Sequence, residues 1–171
     1  MGQSIVNDFS ADLRFSQQSS DETFWDAVYR KAFPDLVCHM TTVGKSQAQH
    51  LGIDRVITLA SGKTLYIDEK KRRGSWSDIL LEYVSADTTR SPGWMEKQLQ
   101  IDYLAYAFMD TQRVYLYPWQ LLRRAWLHYK DQWLSQYKTI EAVNRNYKTL
   151  SVAVPITELR RAVAKSMIVQ L

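Results

Sequence analysis

The stretch GIDRVITLASGKTLYIDEKKRR, residues 52–73, decides the fold of this chain. Two runs rich in β-branched and aromatic residues flank a turn that contains glycine, which is the pattern of a β-hairpin. We predict that residues 60–62 form a three-residue loop with Gly62 in the left-handed conformation. This register places Asp54 directly opposite Asp68.

The register decides which polar side chains share a face of the hairpin. Side chains alternate along a strand, so the favoured register places Lys70 with Asp54 and Asp68, while Glu69 and Lys71 point to the other face. A two-residue loop would shift the pairing by one and select Glu69 and Lys71 instead. We favour the first register, and the second stays open at this point.

The two aspartates and the lysine suit the hydrolysis of a phosphodiester bond. This reaction is assisted by a metal ion that neutralises the phosphate and lowers the pKa of the attacking water. Magnesium prefers hard oxygen ligands and keeps several waters, so Asp54 and Asp68 are predicted to bind Mg²⁺ or Mn²⁺. Lys70 is predicted to orient the water or to stabilise developing negative charge.

The rest of the chain predicts further helices and strands around this hairpin. Residues 1–18 are polar and aperiodic, so we expect a partly ordered arm. Ser19 and Glu22 have the spacing of a capping box. The predicted elements are a helix from about residue 20 to Phe33, a strand over 78–85, a hairpin over 99–117, a helix after Pro118, a strand over 151–156 and a helix from about Thr157 through Met167.

Four more charged residues are candidates for the site. Glu82 would add a metal ligand if its strand pairs beside the second strand of the hairpin, and it is otherwise a surface or paired carboxylate. Arg72 and Arg73 follow Lys70 and are predicted to hold phosphate, with Lys71 as a further nucleic-acid-binding residue. The alternative is a solvated basic turn.

On these residues the chain resembles the PD-(D/E)XK nuclease superfamily. Its members place an Asp at the start of one strand and an acidic-X-Lys triplet on the next. Asp54 matches the first position, and Asp68 and Lys70 match the triplet. Ile53 stands where the family name implies Pro, and Asp68 stands where Glu is commoner. The resemblance covers roughly residues 20–135, and YIDEKKR and DILLE also look like small phage or prophage proteins of this fold.

The resemblance implies a fold and an activity. We expect one α/β domain over residues 1–171, with a restriction-endonuclease-like central mixed sheet flanked by helices. The implied activity is Mg²⁺- or Mn²⁺-dependent hydrolysis of DNA, with a homodimer left open. The family helix often donates an acidic residue, which makes Glu22 and Asp26 candidates. The rival is a nuclease-like fold kept as a noncatalytic module that binds nucleic acid or a protein.

Composition narrows the classes of protein further. The chain has 171 residues, a formal net charge of +4 and a single cysteine, Cys38, so no internal disulfide can form. We expect a cytoplasmic protein without a membrane-spanning segment, and Cys38 as a small buried residue.

No Gly-rich phosphate loop, nucleophile elbow or zinc signature occurs. Trp76 and Trp94, in predicted loops, are candidates for stacking on bases, whereas His50 is expected to be a bystander.

Overall fold

The computed structural model describes residues 22–42 and 46–171 and has a mixed α/β fold. Its helices are α1 (Glu22–Ala32), α2 (Ser46–His50), α3 (Trp119–Gln136) and α4 (Ile156–Ala162), with a 3-10 turn at Met109–Thr111. Its strands are β1 (Leu36–Thr41), β2 (Arg55–Leu59), β3 (Thr64–Arg72), β4 (Asp78–Ala86), β5 (Ser91–Pro92), β6 (Tyr103–Phe108), β7 (Arg113–Pro118), β8 (Thr139–Val143), β9 (Lys148–Pro155) and β10 (Met167–Gln170). The predicted partly ordered arm and Ser19 lie outside the described residues.

The strands form two sheets. The main sheet has the order β1-β2-β3-β6-β7-β10, and the second sheet has the order β5-β4-β9-β8. Only β3 and β6 are parallel neighbours within the main sheet, and its other neighbours are antiparallel. Parallel neighbours need a long crossover. Here the crossover contains β4 and β5, so it also builds part of the second sheet.

Helix α1 covers one face of the main sheet. Its apolar residues recur at helical spacing, and Phe24, Trp25, Val28 and Tyr29 are all buried. They belong to a core cluster with residues of the central strands: Ile57, Leu65, Ile67, Ala105, Ala107, Val114 and Leu116. The predicted helix is therefore confirmed, and its aromatic residues pack against the sheet.

The opposite face of the main sheet is covered by the second sheet and by α3. Leu104, Tyr106 and Phe108 of β6 join a second core cluster with Ile79 and Leu81 of β4. Helix α3 contributes its buried stripe to the same cluster: Trp119, Leu122, Ala125, Trp126 and Trp133. Asp54, Asp68 and Lys70 lie on this second face, where the two layers meet.

The C-terminal helix is shorter than the spacing predicts. Helix α4 ends at Ala162, and Met167–Gln170 form β10, which pairs antiparallel with β7. Met167 lies opposite Leu116 rather than on the apolar side of a helix. The edge of β7 provides backbone partners for this segment, and such a contact is invisible to local periodicity.

Strands β1 and β8, each at an edge of its sheet, were not predicted. The expectation of a buried Cys38 is wrong, because this residue is exposed on β1. A strand at a sheet edge has a neighbour on one side only, so its side chains are easily left in solvent. Among the helices of the described ranges, none has the length and apolar character needed to cross a bilayer.

Candidate functional site

Asp54 and Asp68 lie side by side where β2 begins. Strands β2 and β3 are antiparallel with Arg55 opposite Ile67, so the next pair is Asp54 and Asp68. The Asp54 N–H donates to Ile67 O at 2.9 Å, and Asp54 Oδ2 accepts from the Glu69 backbone N–H at 2.9 Å. The favoured register is confirmed, and the register shifted by one is wrong.

The loop of the hairpin sets this register. Leu59 N donates to Lys63 O at 2.9 Å, which closes a three-residue loop, and Gly62 N donates to Leu59 O at 2.9 Å. Gly62 has φ of +81°, a conformation that glycine adopts without steric cost. The turn chemistry read from the sequence therefore positions both aspartates.

Asp68 is a buried carboxylate with an unusual balance of neighbours. The residue is 2% exposed, and its Oδ1 accepts from Lys70 Nζ at 2.5 Å. Its Oδ2 is buried and has no hydrogen-bond partner among the described residues. Burial raises the pKa of Asp68 to about 7; the Lys70 ammonium opposes the shift, and the nearby Asp54 carboxyl adds to it. A protonated Asp68 can hydrogen-bond the Asp54 carboxylate, and a cation bound by the two carboxylates would take the place of that proton.

Lys70 remains a cation in this setting. Burial by itself lowers the pKa of Lys70, but the attraction of Asp68 and Asp54 outweighs burial, and the pKa lies above its ordinary value. Its side chain is still 31% exposed, and Nζ lies 6.0 Å from the centre of the Trp94 ring. The ammonium group is thus held beside Asp68 while part of the side chain reaches solvent.

The three residues line a cleft of about 440 Å³. This volume lies within the range of about 300–1,000 Å³ that is common for small-ligand sites. The other residues of the cleft wall are His50, Gly52, Trp94, Lys97 and Leu99. The chain therefore brings two carboxylates and two lysines together in one concave space.

The loop between β5 and β6 forms one wall of the cleft and is tied to α3. Glu96 accepts from Trp126 Nε1 at 3.1 Å and pairs with Lys130 Nζ at 2.6 Å. Arg123 donates to the backbone oxygen of Met95. These contacts hold the wall in place against the helix.

Glu82 approaches the cleft from the second sheet. Strand β4 pairs with β5 and β9 and not with β3, so the condition under which Glu82 was predicted to add a metal ligand is not met. Burial raises the pKa of Glu82, against the attraction of Lys70 and a hydrogen bond from the Trp94 backbone N–H. Glu82 is therefore within electrostatic reach of Lys70, but it is not among the residues that line the cleft.

Glu69 lies on the other side of the sheet. Its Oε1 accepts from Arg55 Nε at 2.7 Å and from the Tyr29 hydroxyl at 2.8 Å. Arg55 is 1% exposed, and its second partner is Glu22 Oε2 at 2.6 Å. Glu69 therefore belongs to a buried ion-pair cluster against α1 and is not brought to the cleft.

The acidic residues of α1 are also directed away from the aspartates. Glu22 pairs with Arg55, while Asp26 contacts His39 Nε2 at 3.0 Å and Arg30 Nε at 2.9 Å. The partners of Glu22 and Asp26 thus lie on the side of the main sheet that α1 covers, and the cleft is on the other side.

The predicted phosphate-binding residues occupy different positions. Arg72 shares the face of Asp68 and Lys70, and its guanidinium bonds Asp78 Oδ1 at 2.7 Å. Because side chains alternate along β3, the side chain of Lys71 points to the side that α1 covers. Arg73 is exposed in the turn after β3. None of these three residues lines the cleft.

The sequence reasoning missed Lys97 as a cleft residue and Arg55 as a core cation. Lys97 follows Trp94 in a segment with no recognisable motif, and only the docking of that loop brings it near Lys70. The position of Arg55 next to Asp54 is the sequence signal that its side chain faces the opposite side of the sheet. His50, expected to be a bystander, lines the cleft.

The acidic residues of the cleft are few. Within residues 22–42 and 46–171, no group of three or more His, Cys, Asp or Glu side chains is arranged to hold a metal ion. Any ion here would depend on the two aspartates, backbone oxygens, water and a bound substrate.

Comparisons with known proteins do not identify a family for this chain. No protein-family model matches this chain, and searches of curated proteins and of solved structures found no significant match.

Proposed function

We propose that this chain is a divalent-metal-dependent nuclease that hydrolyses DNA phosphodiester bonds. The proposal rests on one observation: Asp54 and Asp68 lie side by side in a cleft, with the Lys70 ammonium 2.5 Å from Asp68 Oδ1. Two carboxylates can hold a divalent ion that activates water, and a lysine beside them can stabilise the negative charge that develops on the phosphate.

The residues fit a small divalent cation. Asp68 Oδ2 is a buried oxygen without a hydrogen-bond partner among the described residues, and such an atom is costly unless something binds it. Repulsion from the Asp54 carboxyl contributes to the raised pKa of Asp68, and a cation would relieve it. Mg²⁺ or Mn²⁺ bound there would lower the pKa of a bound water and neutralise phosphate charge.

The side chains of the cleft would have separate roles in metal binding and in contacts with the substrate. Asp54 and Asp68 would hold the ion, with Asp54 oriented by the Glu69 backbone N–H. Lys70 would donate hydrogen bonds to the phosphate or to the attacking water, because its raised pKa keeps it charged. Glu82 attracts Lys70 electrostatically and would help to keep its ammonium group charged.

Lys97 and His50 line the same cleft as the aspartates and would contact the substrate there. Both line the cleft, and Lys97 is exposed on the loop that faces β3. An exposed lysine in an acidic cleft is suited to a phosphate group, because it offsets the carboxylate charge that would repel DNA.

We further propose that the fold is related to the restriction-endonuclease-like fold. The order of α1, a β2–β3 hairpin bearing the aspartates, and a parallel β6 beside β3 supports this relationship. The position of Glu22 and Asp26 on the far side of the sheet is a departure from the family helix that donates an acidic ligand.

The test is cleavage of DNA with Mn²⁺ by the wild type, Asp54→Asn and Asp68→Asn. We expect each variant to lose at least about a hundredfold in rate, since even outer-shell changes at metal sites cost about 10- to 100-fold. Asp131→Asn, at an exposed position of α3, is the matched control and should cleave like the wild type. Unchanged cleavage by both cleft variants would refute the assignment.

A second candidate function is a noncatalytic nucleic-acid-binding module with the same fold. It is favoured by the close Lys70–Asp68 pair, because a lysine that neutralises Asp68 competes with a metal ion. Calorimetric titration with Mn²⁺ separates the two candidates. Uptake of the ion by the wild type and not by Asp54→Asn supports the nuclease, whereas DNA binding in EDTA without any uptake supports the module.

A further inference from the structure

Trp76 differs from every other tryptophan of the chain. It is 51% exposed, whereas the other five are at most 8% exposed and belong to the two cores. Trp76 lies in the turn between β3 and β4, three residues after the end of the basic run Lys70–Arg73. An exposed large aromatic side chain beside basic residues is a feature of a binding surface rather than of a core.

The indole ring is held in a defined position. Its Nε1 donates to Arg73 O at 2.8 Å, and the Arg72 guanidinium lies 4.5 Å from the ring centre. Gly74, with φ of +82°, lets the backbone pass close to the indole, because a Cβ there would lie 2.7 Å from Nε1. The ring is therefore ordered before any ligand binds.

Arg72 is itself anchored, which extends this order to the sheet. Its guanidinium bonds both the side chain and the backbone oxygen of Asp78, at 2.7 and 3.1 Å. Arg72 thus contacts the indole of Trp76, while about half of Trp76 stays exposed to solvent. A ligand that stacks on the ring would lose little side-chain entropy on the protein.

The position of Trp76 relates it to the cleft. Asp68, Lys70 and Arg72 alternate along one face of β3, so Arg72 lies about 13 Å from Asp68 along the strand. A polynucleotide strand with one phosphate in the cleft would span this distance and bring a nearby base to Trp76.

We propose that Trp76 is a stacking platform for an unpaired base, and that the substrate is therefore single-stranded DNA. This inference rests on the proposed nuclease function and specifies its substrate. Both faces of a base in a duplex are covered by its neighbours, whereas a base in a single strand can lie on an aromatic ring. The Arg72 guanidinium on the opposite face of the indole adds a cation–π contact to the stack.

The test is fluorescence anisotropy with a labelled single strand and with the matching duplex, in EDTA so that cleavage is prevented. We expect the wild type to prefer the single strand, and Trp76→Ala to weaken that binding roughly 5- to 100-fold. Trp76→Phe should retain most of the affinity, and Gly74→Ala should lose part of it by displacing the indole. Leu127→Ala, at a residue 65% exposed on α3, is the control for loss of exposed apolar surface and should not change binding.

Each other outcome has a definite meaning. Equal affinity of the wild type and Trp76→Ala for the single strand would overturn the inference, as would a preference of the wild type for duplex. A dimer that Trp76→Ala dissociates, with unchanged DNA binding, would overturn it by assigning Trp76 to self-association. Binding that depends on Trp76 without cleavage in Mn²⁺ would support the platform and refute the nuclease. Cleavage that depends on Asp54 but not on Trp76 would support the nuclease and refute the platform.

Discussion

At the scale of single residues, Asp68 links the stability of the protein to pH. The folded state raises the pKa of this carboxyl to about 7, so folding takes up a proton between about pH 4 and pH 7. The free energy of unfolding of the metal-free protein should therefore fall as the pH rises through this range, by at most about 4 kcal/mol from this group. Urea titrations in EDTA at a series of pH values would measure it.

Asp68→Asn is the control for this pH dependence. An asparagine cannot ionise, so the decline in stability between about pH 4 and pH 7 should become shallower in the variant. Relative to the wild type, the variant should gain stability as the pH rises toward about 7, because the neutral amide avoids the ionisation that the buried site disfavours. An identical slope in the two proteins would show that Asp68 does not carry the dependence.

Glu69 is expected to matter for stability and not for chemistry. Its carboxylate is paired with Arg55, which is almost fully buried, so Glu69→Gln should lower the free energy of unfolding by roughly 2–3 kcal/mol. The backbone N–H that donates to Asp54 remains, so cleavage below the melting temperature should stay within about threefold of the wild type. Thermal melts and cleavage rates of the same preparation measure both effects.

Glu141→Gln is the matched surface control for this change. Glu141 pairs with Lys148, and both side chains are about half exposed, so its loss should cost less than about 1 kcal/mol. A variant of Glu69 that is as stable as this control would contradict the assignment of a buried ion-pair cluster.

At the scale of elements, the packing of the β5–β6 loop against β4 depends on Gly93. A Cβ at this position would lie 2.4 Å from Glu82 O, a backbone atom that cannot move without displacing β4. Gly93→Ala should destabilise the protein by about 1–3 kcal/mol, as overpacking does. It should also lower cleavage, because it moves Trp94 and Lys97 away from β3.

Gly62→Ala is the comparison for this prediction. Nothing lies within 4 Å of the added Cβ there, so the cost comes only from the left-handed backbone and should be about 1–2 kcal/mol. Because the hairpin register is also set by β2 and β3 themselves, cleavage should persist. Loss of cleavage in Gly62→Ala with normal cleavage in Gly93→Ala would reverse the roles given to the loop and the turn.

At the scale of the whole molecule, the cleft lies between the two layers, so an ion bound there should stabilise the entire fold. Mn²⁺ at about a hundred times its dissociation constant would add about 2.7 kcal/mol to the free energy of unfolding. The effect should grow as the pH rises toward about 7, because Asp68 must lose its proton to bind the ion.

Melting temperatures with and without Mn²⁺ would measure this stabilisation. Asp54→Asn and Asp68→Asn should lose the shift, and Asp131→Asn should keep it. A shift of equal size in all four proteins would show that the ion binds elsewhere.

The hairpin and its register were predictable because they depend on neighbours close in the chain. Gly62 adopts its conformation within a three-residue loop, and the alternation of side chains then places Asp54, Asp68 and Lys70 on one face. Helix α1 and the buried stripe of α3 were predictable for the same reason, since a period of 3.6 residues is a local property.

Contacts between distant segments could not be predicted in the same way. A metal-ligand role for Glu82 required its strand to pair beside β3, but β4 pairs with β9, a partner about 70 residues further along the chain. The segment 167–170 has the apolar spacing of a helix and forms a strand, because β7 offers it an open edge. Lys97 reaches the cleft only because its loop is tied to α3.

The sequence alone determined the pair of aspartates and the lysine on one hairpin face, because side-chain alternation and turn geometry are local rules. Only the tertiary structure decided that this face is covered by a second sheet, which buries Asp68 and encloses the cleft. It also decided that Glu69 and Glu22 serve a buried arginine on the opposite side. Burial depends on which distant surfaces meet, and it is burial that shifts the pKa of Asp68 and leaves one of its oxygens without a partner.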